Sequence, residues 1–152
     1  MISCGLYRTT TELADHPSVA AGLLVYFHNH SDGGTPIVQL PESNTHNRWR
    51  FAAAGHPVTD EHYVSSLIAL KPEGLYRVRE HFHPDESHVV GKDSLVQLGY
   101  NRTADLIIFH PHPTADANGI HFVARGTAIP PAIYDRLERL NLEGPVPTQH
   151  RH

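Results

Sequence analysis

Residues 23–34, LLVYFHNHSDGG, hold the feature that most constrains this chain: an apolar run that ends abruptly in two histidines and a turn. Residues 23–27 alternate little in polarity and are rich in β-branched and aromatic types, as in a strand covered on both faces. Side chains repeat every two residues along a strand, so His28 and His30 are expected on one face, with Leu24 and Tyr26. Gly33 and Gly34 can adopt positive φ, which predicts a reversal there into residues 35–40 as a hairpin. A histidine pair at a strand end beside a loop is a position where sites are often built.

The same punctuation recurs along the chain. Short β-type runs are expected at 5–10, 47–54, 94–100, 104–109 and 120–125, with 62–70 either a strand or a short helix closed by Pro72. Residues 74–83 alternate most clearly: Tyr76, Val78 and Phe82 on one face, Arg77, Arg79, His81 and His83 on the other. Near the end, Pro130-Pro131 and the stripe Ile133, Leu137, Leu140 predict a helix that Gly144-Pro145 stops. About eight short strands and one C-terminal helix give a mostly β fold, a small partly open barrel or sandwich with the helix across an edge or open end. The domain is expected over residues 1–144, with a loose tail over 145–152 and no repeat in the 20–50-residue range.

Composition narrows the setting. Cys4 is the only cysteine, so no disulfide forms within the chain and a reducing, cytoplasmic compartment is expected. No apolar run approaches the roughly eighteen residues of a membrane span, and no signal-peptide pattern opens the chain. Twelve Lys plus Arg against sixteen Asp plus Glu give a formal charge of −4, which argues against a dedicated nucleic-acid binder.

Histidine is the outlier, with 14 copies. Protonating them all while the carboxylates stayed ionised would reverse the sign of the net charge. Four pairs lie two residues apart, His28/His30, His81/His83, His110/His112 and His150/His152, where random placement would give roughly 1.3. If the first three pairs met in space, their imidazoles would suit Zn or another divalent transition metal such as Ni, Cu or Fe, with Asp32, Asp85, Glu86 or His88 as further partners. The competing reading is that polar residues take over where strands leave the core, and that histidine is this chain's habitual polar residue.

Known motifs fit poorly. His28-Asn29-His30 lacks the following helix of an HNH nuclease, and IIFHPHP at 107–113 lacks the later Ser and Asp of a JAMM metallopeptidase, whose places hold Ile120 and Val123. A cupin places Glu three or four residues after HxH, whereas His81-Phe82-His83 is followed by Glu86 after only two. Cys4 reads as a small packed residue. Arg48, Trp49 and Arg50 offer stacking and charge to an anionic or nucleotide ligand, and equally fit an alternating strand with a buried Trp.

The blocks GLYRTT, LLVYFHNHSDGG, EGLYRV and LVQLGYN resemble an uncharacterised group of small, mostly β bacterial proteins found mainly in myxobacteria. The resemblance covers residue 5 to about residue 140 and implies a compact bacterial domain without supplying an activity. Two function classes follow. One is a non-enzymatic interaction or self-assembly module, working as a homo-oligomer or with a protein partner. The other is a histidine-liganded metal domain, with cupin-like metalloenzyme chemistry as its enzymatic form.

Overall fold

The computed structural model describes residues 2–29, 34–145 and 148. His30, the turn residues 31–33 and the His150/His152 pair lie outside them. In the first half run β1 (Gly5–Arg8), β2 (Leu24–His28), β3 (Ile37–Gln39), β4 (Pro41–Thr45), β5 (Arg48–Phe51), β6 (His56–Pro57), α1 (Glu61–Ser66) and β7 (Ile68–Ala69). The second half holds β8 (Gly74–Val78), β9 (Phe82–Asp85), β10 (His88–Val90), β11 (Leu95–Tyr100), β12 (Leu106–Phe109), β13 (Pro111–Pro113), β14 (Ile120–Phe122), β15 (Thr127–Ala128), a 3-10 helix (Pro131–Arg136) and β16 (Leu137–Arg139).

The two halves repeat one design. Their antiparallel sheets are ordered β6-β3-β2-β1-β7 and β15-β12-β11-β8-β16, each a meander whose last strand returns through one short helix to pair with the first. Hairpins β4–β5 and β13–β14 occupy matching places, and β9–β10 matches the Leu13–His16 bridge. Even the register recurs. Tyr7 pairs with Val25 and Ala69 as Tyr76 pairs with Val96 and Arg139. The offset is 69 to 71 residues throughout (Gly5 to Gly74, Pro41 to Pro111, Gly55 to Gly126). Tyr7 and Tyr76 each donate a hydroxyl to the carbonyl four residues back, Ser3 or Pro72, at 2.7 Å. Positive φ at Gly22 and Asn47 returns at Asp93 and Ala117.

Each sheet buries one face in its own core. Phe27, Val25 and Val38 are fully buried in the first half, as are their counterparts Leu98, Val96 and Ile108 in the second. Leu6 and Leu24 alternate with these core residues, so they leave the opposite face, and there they join the second half's core. The halves are thus packed through the outer face of the first sheet.

Several expectations change. In place of one partly open barrel or sandwich of about eight strands, the chain forms several sheets and hairpins, not a closed barrel, from strands shorter and more numerous than expected. The C-terminal helix is a single 3-10 segment that ends at Arg136: Leu137 is extended (φ −110°, ψ 127°), and Leu137–Arg139 forms β16 against β8. The apolar stripe that suggested a continuous helix joins a turn to an edge strand paired with β8. Residues 62–70 likewise divide into α1 and β7. No helix among the described residues is long and apolar enough to cross a membrane.

Candidate functional site

The outer face of the first sheet meets the other half. Leu6 and Tyr26 are cross-strand partners on it, Trp49 and Phe51 arrive from β5, and Leu70 follows β7. The second half closes over part of this face. Trp49 Nε1 donates to the Tyr100 carbonyl at 2.7 Å, and the Arg102 guanidinium stacks on the indole at 4.9 Å while donating to the Pro41 carbonyl. Behind it the Tyr100 and Tyr134 hydroxyls are hydrogen-bonded; Tyr100 also donates to the Lys71 carbonyl, and the Lys71 amide donates to Tyr134. Burial and this contact push the Tyr100 phenol well above its ordinary range.

What stays uncovered is a cleft of about 520 Å³. Leu6, Tyr26, Trp49 and Phe51 line it on the apolar side, with Arg48, Glu73 and Arg139 as its charged groups. Glu73 accepts the Trp49 amide hydrogen at 3.0 Å. Burial raises its pKa, and the Trp49 hydrogen bond and the Arg48 charge offset part of that rise. Arg48 and Arg139 are exposed, so two cationic groups can turn toward an incoming anion while the rings cover its apolar part. A second depression of about 560 Å³ continues across Leu75 and Leu140 and shares Arg48, Glu73 and Arg139 with the first. The two are the same place in successive halves: Leu75, Leu140 and Glu143 match Leu6, Leu70 and Glu73.

No family model, curated protein or solved structure matches this chain. The site is therefore read from its own chemistry.

The histidine pairs lie elsewhere. His28 is half-buried on β2 with its ring 5.0 Å from Tyr26. His81 and His83 flank the buried Phe82 and are exposed, their rings 6.1 Å apart. His110, half-buried after β12, is held below the ordinary histidine pKa by burial and by the charges of His112 and His88. His112 stacks on His121 at 5.9 Å, and His88 Nδ1 pairs with Asp85 at 2.8 Å. A loose band of second-half histidines results, while His28 belongs to the first half. Among the described residues, no three His, Cys, Asp or Glu are placed to hold one metal ion. Cys4 bonds the main chain of Asn29 and borders the cleft, with no histidine among the cleft-lining residues.

Of the residues singled out in the sequence, Arg48 and Trp49 do meet at the cleft, whereas Arg50 points to Glu42 at 3.7 Å on the surface. Glu73 and Arg139 gave no such signal individually. The one textual trace is Leu-x-x-Leu-x-x-Glu-Gly, present at 67–74 and again at 137–144.

Proposed function

We propose that this chain is a non-enzymatic binding module whose ligand, an anion with an apolar body, seats in the cleft between its two halves. The observation that supports this is the pairing of an aromatic floor, Tyr26, Trp49 and Phe51, with exposed Arg48 and Arg139 at one concavity. Rings supply contact area, guanidinium groups supply charge and planar hydrogen bonding, and the half-buried Glu73 sets polarity at the seam. One architecture can host unrelated functions, so the reading rests on the cleft.

Trp49 is the only tryptophan, which makes its emission a direct reporter of occupancy. Titration with anilinonaphthalene sulfonate, an aromatic anion, should give a saturable change in Trp49 emission that Arg48→Ala weakens and the double change with Arg139→Ala removes. A parent protein whose Trp49 emission does not respond, or variants that bind as tightly as the parent, would overturn the reading.

A further inference from the structure

The contact between the halves is one-directional. Tyr134 of the second half meets Lys71 of the first, and Arg102 and the Tyr100 carbonyl of the second meet Trp49 and Pro41 of the first. A two-fold arrangement would repeat these contacts with the roles exchanged. It does not: Tyr63, which matches Tyr134, buries its hydroxyl without a hydrogen-bond partner among the described residues, and Ile120, which matches Trp49, is 51% exposed. The junction is heterologous, and each half therefore carries one used and one unused surface.

The unused surface of the second half is apolar. Leu75, Leu95, Ile120 and Phe122 match Leu6, Leu24, Trp49 and Phe51, all of which line the buried side of the junction. Leu6 and Leu24 are 9% and 0% exposed there. Their counterparts Leu75 and Leu95 are half-exposed, and Leu142, which matches Pro72, is 68% exposed. On the first half the unused counterpart surface is the α1 side, where exposed His62 stands in the place of buried Ile133.

We propose that a second copy of this chain docks here head to tail, its α1 surface covering the Leu75–Leu95–Ile120 face and repeating the junction already closed inside each molecule. Heterologous contacts that do not close into a ring grow into open chains. Docking would also roof the depression around Leu75 and make it a cleft of the first kind, so the assembly multiplies the site proposed above without depending on its ligand.

Sedimentation velocity on the full chain over a rising concentration series tests this. The parent should grow in mass past two copies. Ile120→Glu breaks one surface and His62→Glu the other; both residues are exposed, so both variants should keep the parent far-ultraviolet circular dichroism and remain monomeric alone. Mixed one to one, they should form a species of twice the monomer mass and no larger, because each variant retains the surface the other lacks. A parent that stays monomeric, a mixture that stays monomeric, or a parent that stops at a dimer would overturn the proposal.

Discussion

Gly55 and Gly126 stand at the same point of the two halves, each pressed against a matching isoleucine, Ile37 of β3 or Ile107 of β12. A Cβ on Gly55 would lie 2.6 Å from Ile37 Cδ1, and one on Gly126 would lie 2.5 Å from both Ile107 Cγ2 and the Ile108 carbonyl oxygen. The obstacle at Gly55 is the Ile37 side chain, including its Cβ at 2.8 Å, which moves only with its strand; at Gly126 it is in addition a main-chain carbonyl at 2.5 Å. Gly55→Ala is expected to cost about 1–3 kcal/mol, the usual range for overpacking, and Gly126→Ala more. Urea midpoints at unchanged m-value measure both. Equal stability of Gly126→Ala and the parent would refute the close approach.

Asn47 ties the first half's hairpin tip to the second sheet. Its Nδ2 donates to Gln97 Oε1 at 2.8 Å and to the Val123 carbonyl at 3.1 Å, and Gln97 Nε2 donates to the His46 carbonyl at 3.0 Å. Asn47 also holds φ at 65°. Asn47→Gly keeps that backbone conformation and deletes the bonds, leaving the buried Gln97 short of a partner, at a cost of about 1–3 kcal/mol. Asn47→Ala adds left-handed strain and should be the less stable of the two. Thermal unfolding that ranks alanine above glycine would show that the left-handed backbone is not what constrains this position.

Tyr63 and Tyr134 are equivalent residues with opposite expected responses to one change. Tyr134 is bonded to Tyr100 and accepts the Lys71 amide, so Tyr134→Phe removes a partner from two buried groups and should destabilise by about 1–3 kcal/mol. Tyr63 has a buried hydroxyl and no partner among the described residues, so Tyr63→Phe should leave the monomer unchanged or stabilise it. Chemical denaturation of dilute protein decides the sign. A loss of stability in both would mean that the Tyr63 hydroxyl is satisfied after all.

How much of this is legible without the structure differs from element to element. β8 and β11 are readable, because Tyr76/Val78 and Val96/Leu98 alternate cleanly and the alternation is what burial imposes. The duplication is nearly invisible, since the two cores keep apolar character while most identities and sizes change: Leu13 answers to Phe82, Val38 to Ile108 and Val58 to Ile129. Only GLYR and Leu-x-x-Leu-x-x-Glu-Gly survive as text. The C-terminal stripe misleads because Ile133, Leu137 and Leu140 bury one side of a 3-10 turn and then of a strand, and one-sided burial alone does not name the element. The cleft is partly legible at Arg48 and Trp49. Glu73 and Arg139 come from the ends of the two halves, and only the fold of the chain brings them together.

Glu73 supplies the pH dependence. Burial holds its pKa above the ordinary glutamate value in the folded chain, against the partial relief of the Trp49 amide and Arg48. The folded state therefore keeps the proton to a higher pH than the unfolded state does. Between those two values the folded chain binds more protons, so stability falls as pH rises from the ordinary glutamate range through the raised one, and is level on either side. Glu73→Gln keeps an oxygen for the Trp49 amide and removes the charge, so it should match the parent well below the carboxylate range and exceed it at neutral pH. Urea midpoints read by Trp49 emission across that range give the comparison. A gap between variant and parent that is the same at both ends would mean that ionisation of Glu73 is not what the cleft opposes, and its role there would be hydrogen bonding alone.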